Sequence, residues 1–187
     1  SYDSGDWFNF VDFTMQTNNW NVGLPLAEKN EARWGEMGQF VYSPERAATM
    51  TEIEMAAEVF KEFLTIRQTS PLFRLTTAQD IMDRVGFHNL GTRQQVGLIA
   101  MSIDDGINAE AETPLVDLDV NYDAVMVVAN TGYEEKSIEV NTATGFMLHS
   151  VQQNSYDSAV RGAYFTENES GNGTFTVPAL TIAVFVK

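Results

Sequence analysis

The chain has 187 residues with 26 acidic and 11 basic side chains, a formal charge of −15. Residues 1–75 hold 11 acids and 6 bases, and the rest holds 15 acids and 5 bases, so the negative charge is spread over the chain and is no tail. Such a surface repels phosphate backbones and anionic lipid, which argues against a nucleic-acid partner. Cysteine is absent, which excludes disulfides, thiol nucleophiles and zinc–thiolate sites. No apolar run approaches the length of about 18 residues that a membrane-spanning helix needs. The first residue is Ser rather than Met, and no secretory leader follows it, as expected of a piece of a longer protein.

Residues 1–46 show no clean period. They hold all three tryptophans (Trp7, Trp20, Trp34), paired amides at Asn18 and Asn19, and a Gly23-Leu24-Pro25 turn. Long aromatic-rich segments without regular structure are uncommon in compact domains and often carry function.

Residues 51–68, TEIEMAAEVFKEFLTIRQ, read as a helix, with Ile53, Ala56, Ala57, Phe60, Phe63, Leu64 and Arg67 at helical spacing. Thr51 with Glu54 fits a capping box, and the early acids suit the positive end of the helix dipole. Phe60, Phe63 and Leu64 read as core. Ser70-Pro71 ends the helix, because proline disfavours helical geometry in the residue before it. TAQDIMDR (77–84) predicts one further short helical piece.

From Val85 onward, short β-rich runs alternate with turn clusters. They predict strands at 84–88, 97–103, 123–130, 136–140, 145–152, 161–166, 173–178 and 181–187. NTG (130–132) reads as a turn, and Asn172-Gly173 within ESGNGT predicts a type I′ hairpin turn. DDGINAEAETP (104–114) reads as an exposed loop. Strands without intervening helices argue an antiparallel β-sandwich. The N-terminal part, with one helix and its rings, cannot bury a core alone and needs a partner surface.

Several side-chain patterns invite a chemical reading. DLDVNYD spaces Asp117, Asp119, Asn121 and Asp123 like the start of a calcium loop. Tyr122 stands where such a loop needs glycine and Val128 where it needs glutamate, and the alternation equally fits an exposed strand face. His88 and His149 fall in separate expected strands, without metal-ligand spacing or a nucleophile beside them. Asn168-Glu-Ser170 and Asn172-Gly-Thr174 match glycosylation acceptors, a match common by chance. The expected strand rings Phe87, Phe146, Phe165, Phe175 and Phe185 lie in apolar runs and read as buried.

The opening stretch, SYDSGDWFNFVDF, crowds Asp3, Asp6, Asp12 and Asn9 among five rings. Acid and amide groups framed by aromatic faces suit a polyhydroxyl ligand. The same residues suit plain packing, with Asp3 and Asp6 bonding their own backbone in turns. Composition alone favours the packing reading.

The ordered set SYDSGDWFN, NNWNVGLP, TSPLFRL, RVGFHNLG, GLIAMSIDD and FTVPALTIAVF resembles the C-terminal part of pullulanases of the limit-dextrinase kind. These are debranching glycoside hydrolases of the α-amylase superfamily, which cleave α-1,6-glucosidic linkages. The resemblance runs through essentially the whole chain. It implies a mainly β fold, a Greek-key-like antiparallel sandwich at 76–187. Residues 1–75 would then be the end of a (β/α)8 catalytic barrel, namely the loop after strand eight and the last helix.

The resemblance also implies that the catalytic carboxylates lie upstream of Ser1. A retaining glycosidase needs two carboxyls about 5–5.5 Å apart across the scissile bond, and adjacent turn acids cannot flank a sugar that way. The parent is expected to be a retaining α-1,6-glucosidase, and the chain alone to be inactive. A looser debranching-enzyme pattern falls on Tyr2, Asp6, Asp12 and Phe13. It implies that Asp6 contacts glucan on the non-reducing side of the cut, with Asn9 and Tyr2 supporting the contact. The implied partners are α-glucans (pullulan, limit dextrins, glycogen) and the upstream barrel. No cofactor is expected in this chain, though calcium is possible in the parent. A secreted or cell-surface bacterial protein is implied, with a plastid one as the alternative. The competing function is a non-catalytic module, either carbohydrate-binding or purely structural.

Overall fold

A computed structural model of the chain describes residue 24, residues 27–106 and residues 115–187. The chain divides into two compact units, Ser1–Glu58 and Val59–Lys187.

In the first unit, the described residues are helical over much of the stretch expected to lack regular structure. Helix α1 spans Ala27–Asn30 and α2 spans Trp34–Val41, with single 3-10 turns at Glu31–Arg33 and Pro44–Arg46. Gly35 and Gly38 inside α2 are poor helix formers, which hides the helix from a propensity reading. The Arg46 guanidinium lies 4.7 Å from the centre of the Phe40 ring, a cation–π contact.

Helix α3 runs from Met50 to Thr69. Its capping box starts two residues earlier than the sequence suggested. The Glu52 carboxylate accepts from the Thr49 backbone N–H at 2.7 Å and from the Thr49 hydroxyl at 2.8 Å, and the Glu52 N–H donates to Thr49 Oγ1 at 3.3 Å. These bonds, the backbone one first, hold the Glu52 carboxyl below its usual range.

Among the described residues, the second unit holds the last turns of α3, helix α4 (Ala78–Arg84), helix α5 (Ser150–Gln153) and eight strands. The strands are β1 Val85–Phe87, β2 Leu98–Asp104, β3 Ala124–Asn130, β4 Lys136–Val140, β5 Met147–Leu148, β6 Tyr164–Glu167, β7 Gly173–Val177 and β8 Thr181–Val186. They form two antiparallel sheets, ordered β1-β2-β3-β8-β5 and β4-β7-β6. β3 and β8 are neighbours although β4 to β7 lie between them in the chain, a Greek-key-like connection.

One core lies between the sheets. It joins Leu98, Ala100, Met126, Val128, Ala183 and Phe185 of the larger sheet to Ile138, Val140, Phe175 and Val177 of the smaller one. Phe175 touches three rings, with centroids 5.2 Å from Phe146, 4.8 Å from Phe165 and 5.1 Å from Phe185. A second core lies on the opposite face of the larger sheet, where Ile103, Val125, Val184 and Val186 meet Ile66 of α3 and Leu72. Burial on both faces is why β3 and β8 read as unbroken apolar runs rather than alternating ones.

Several sequence expectations shift. On α3, Phe63 and Ile66 face the sheet, while Phe60 and Leu64 stay 64% and 45% exposed rather than joining the core. Phe87 is 53% exposed, not buried, as the last residue of the edge strand β1. The strand expected at 145–152 shrinks to Met147–Leu148, because His149 caps α5 with its side chain and turns the chain. Residues 160–162 form a 3-10 turn ahead of β6.

The β6–β7 hairpin does not turn at Asn172-Gly173. Glu167 pairs with Gly173, so residues 168–172 are the loop. The Asn168 side chain accepts from the N–H groups of Ser170 and Asn172, both at 3.0 Å, and Gly171 takes the left-handed φ of 77°. Gly173 is glycine for another reason: a Cβ there would sit 2.2 Å from the Phe165 ring and 2.5 Å from the Ala143 carbonyl.

Candidate functional site

Tyr2, Asp6 and Asn9, the residues expected to hold glucan, lie outside the described residues. Among the described residues of the second unit, three clusters of chemistry-bearing groups and a hollow beside β1 and β2 bear on function.

The first cluster is centred on Arg84, the last residue of α4. It is 2% exposed and pairs with Asp105 at 2.7 Å. It also donates to the carbonyls of Asp104 at 3.2 Å and Val116 at 2.5 Å. The Asp105 carboxylate accepts in addition from the backbone N–H groups of Leu118 and Asp119. Asp119 in turn accepts from the Asn121 N–H at 3.0 Å. Two expectations fail here. Asp105 is buried rather than part of an exposed loop. Residues 117–123 are not an exposed strand face, since Asp119 is buried while Val120 is 92% exposed. No group of three or more acidic or histidine side chains among the described residues could hold a metal ion. The cluster ties the chain entering β1 to the chain leaving β2. Nothing in the spacing of Arg84 and Asp105, 21 residues apart, announces the pair.

In the second cluster, His88 Nε2 lies 2.9 Å from the Ser102 hydroxyl, with Asp104 close by. His88 follows β1 rather than lying within it. Burial lowers its pKa, opposed by the charge of Asp104. Burial likewise raises the Asp104 carboxyl, against His88, the Ser102 hydroxyl and Lys187. The composition matches a serine-hydrolase triad but the order does not. A triad needs the carboxylate to orient the imidazole and the serine to be open to substrate. Here Ser102 is 6% exposed. Gly86, paired with Ser102, leaves room for that contact, as a Cβ would stand 3.0 Å from the serine oxygen.

The third cluster fastens the end of α3 to the sandwich. His149 lies against Thr69, and the Glu62 carboxylate accepts from the Ser155 hydroxyl at 2.5 Å and the Tyr156 N–H at 2.7 Å.

The hollow holds about 510 Å³ beside β1 and β2, walled mainly by Phe87, Leu90, Val96 and Ile99. Two of its amides are committed to neighbouring backbone. Asn89 donates to the carbonyls of Gln95 and Leu98 and accepts from the Gln95 N–H, and the Gln95 side chain donates to the Ser137 carbonyl.

Among the described residues, these groups tie elements of the fold to one another. The family model described as alpha-1,6-glucosidases, pullulanase-type, C-terminal, matches residues 15–187. The chain belongs to this family.

A relative, pullulanase 1, chloroplastic, of Arabidopsis thaliana, is 40% identical over 189 residues, covering 100% of this chain and 19% of that protein. The pullulanase of Klebsiella pneumoniae is 33% identical over 187 residues, covering 98% of this chain and 16% of that protein. The solved structure of a maltotriose complex of Klebsiella pneumoniae PulA superposes with a TM-score of 0.78 at 32% identity, over 100% of this chain and 19% of that one. The chain therefore spans under a fifth of the length of these relatives. The fold is that of the pullulanase C-terminal region, two antiparallel sheets with associated helices, as the sequence motifs implied. No helix among the described residues is long and apolar enough to cross a membrane.

Proposed function

We propose that this chain is the C-terminal part of a starch- or glycogen-debranching hydrolase that cleaves α-1,6-glucosidic linkages by a retaining mechanism. The observation that carries this reading is the family match over residues 15–187, with relatives named pullulanase aligned over nearly the whole chain. The cutting carboxylates belong to the upstream barrel. Residues 1–75 form the end of that barrel, and residues 76–187 are the sandwich that stabilises it. Fastening of α3 to the sandwich through Glu62 and Thr69 supports a stabilising role. Asp6, aided by Asn9 and Tyr2, grips α-glucan on the non-reducing side of the cut. The parent is a bacterial secreted or cell-surface enzyme or its plastid counterpart. No cofactor is assigned to the chain itself, and calcium is a candidate ligand of the parent enzyme.

The test compares the isolated 187-residue chain with the full-length parent on pullulan, reading new reducing ends. The parent should release maltotriose-sized products and the chain alone nothing. Activity of the chain alone, free of contaminant, would sink the reading. So would a parent that leaves α-1,6 linkages intact.

A further inference from the structure

Asn172-Gly173 is the one Asn-Gly pair in the chain. It joins the 168–172 loop to the start of β7. Asparagine followed by glycine is prone to cyclise, because a glycine lacks the Cβ that would screen its backbone nitrogen from the preceding side-chain amide.

Three features leave Asn172 open to that chemistry. Gly171 before it has open space around it, with nothing within 4 Å of where a Cβ would stand. Gly173 after it is the last rung of both its pairings, with Val140 of β4 and with Glu167 of β6, and ladder ends open most readily. The Asn172 side chain is held by two long bonds: Oδ1 accepts from the Thr142 N–H and Nδ2 donates to the Glu139 carboxylate, both at 3.3 Å. The fold also retains the pair. A Cβ at 173 would stand 2.2 Å from the Phe165 ring, so packing requires glycine there whatever precedes it.

Comparable positions are better guarded. Asp105-Gly106 could also cyclise, but the Asp105 carboxylate is buried, paired with Arg84 and bonded to the N–H groups of Leu118 and Asp119. Asn168 Oδ1 accepts from the Ser170 and Asn172 N–H groups at 3.0 Å, and Asn168 is followed by Glu169 rather than glycine.

We infer that Asn172 is a site of spontaneous deamidation in the folded protein. The Gly173 nitrogen loses its proton to base and attacks the side-chain carbonyl carbon of Asn172. That C–N bond forms, the bond to Nδ2 breaks and ammonia leaves. Water then opens the cyclic imide at either carbonyl, giving aspartate or isoaspartate with no change in oxidation state.

Both products disturb the same corner. Aspartate replaces the amide that reaches Glu139 with a charged oxygen, so two carboxylates meet at the end of the β4–β7 pairing, and like charges across strands repel. Isoaspartate reroutes the backbone through the side-chain carbon and shifts Gly173 from its slot against Phe165. It also moves the acceptor away from the N–H of Thr142, which holds a left-handed φ of 59°.

The experiment incubates the full-length parent under native conditions at pH 6 and pH 8.5, digests it with trypsin and reads peptide 162–187 by fragmentation mass spectrometry and isoaspartyl methyltransferase assay. A form heavier by about one dalton at position 172 should build up several-fold faster at pH 8.5, while Asn168 and Asp105 stay unmodified. The aged protein should unfold at lower urea than the fresh protein. Asn172→Gln, which keeps an amide but cyclises far more slowly, should remove both changes. No conversion at 172 in the native protein overturns the inference, whether or not the urea-unfolded protein converts. Equal conversion of Asn168 and Asn172 overturns it too, since the loop geometry would then select nothing. The readout is a mass, so its outcome is independent of whether the parent acts on pullulan.

Discussion

His149 Nε2 lies 3.1 Å from Thr69 Oγ1, joining the start of α5 to the last turn of α3. The Thr69 hydroxyl spends its proton on the Ile66 carbonyl at 2.7 Å, so it can only accept from the ring. Nδ1 accepts from the Val151 N–H at 3.2 Å, capping α5. The ring is therefore neutral, with its proton on Nε2, and it is wholly buried. A second proton on Nδ1 would face the Val151 N–H donor and break the cap.

Burial lowers the folded-state pKa of His149. Above the unfolded value of about 6.5 both states are neutral and pH has no leverage. As pH falls below that value the unfolded state takes the proton first, so stability drops until the folded pKa is reached, by at most about 1.4 kcal/mol per pH unit for one group. His88, also lowered by burial, acts in the same direction. Urea unfolding at pH 7 and pH 5 should show this loss, and His149→Asn, which keeps a capping acceptor, should shrink it. An unchanged pH dependence in that variant would mean the ring does not titrate on unfolding.

Arg84 and Asp105 form a pair with side chains 2% and 1% exposed. Removing one charge strands the other away from water, so Asp105→Ala should cost about 3–5 kcal/mol. Replacing both with apolar residues should cost much less than the sum of the single changes, because no buried charge is then left over. Chemical denaturation of the two single variants and the double variant measures this coupling. Additive losses would show that the pair is not the source of the cost.

Gly173 and Gly171 lie in the same hairpin and should respond differently to alanine. At Gly173 the methyl meets the Phe165 ring and a carbonyl in the strand, so Gly173→Ala should cost roughly 1–3 kcal/mol through overpacking. At Gly171 the site is open and only the φ of 77° resists, a cost of about 1–2 kcal/mol. Gly173→Ala should also disturb the Phe165 and Phe175 ring signals in NMR, which Gly171→Ala should leave in place.

Asp6 is the residue to test for glucan contact. In the full-length parent, Asp6→Ala should lower kcat/KM by an amount corresponding to about 1.5–3 kcal/mol, the scale of a hydrogen bond to a charged group. Unchanged kinetics with an intact melting temperature would remove Asp6 from the site.

How much of this was legible varies residue by residue. Helix α3 was readable because its spacing and its Pro71 stop are local signals. β4, β7 and β8 were readable because runs such as TFTV and TIAVFV favour extended backbone whatever surrounds them. His149 was placed in a strand, since nothing local shows that its imidazole would find a backbone N–H two residues on. Arg84 and Asp105, one in a short helix and one in an acidic run, carry no local signal of their pairing, because a buried ion pair depends on partners distant in sequence. Phe87 and Phe60 were read as core, because apolar character marks what wants burial but not what covers it.

The sequence by itself determined the family, the two-sheet β class and the absence of thiol chemistry, because these follow from residue order, periodicity and composition. Only the tertiary structure decided which face of α3 meets the sheet, which hairpin residue turns, and which apolar surface stays open. Those outcomes depend on the distances between segments far apart in the chain, and no local pattern encodes them.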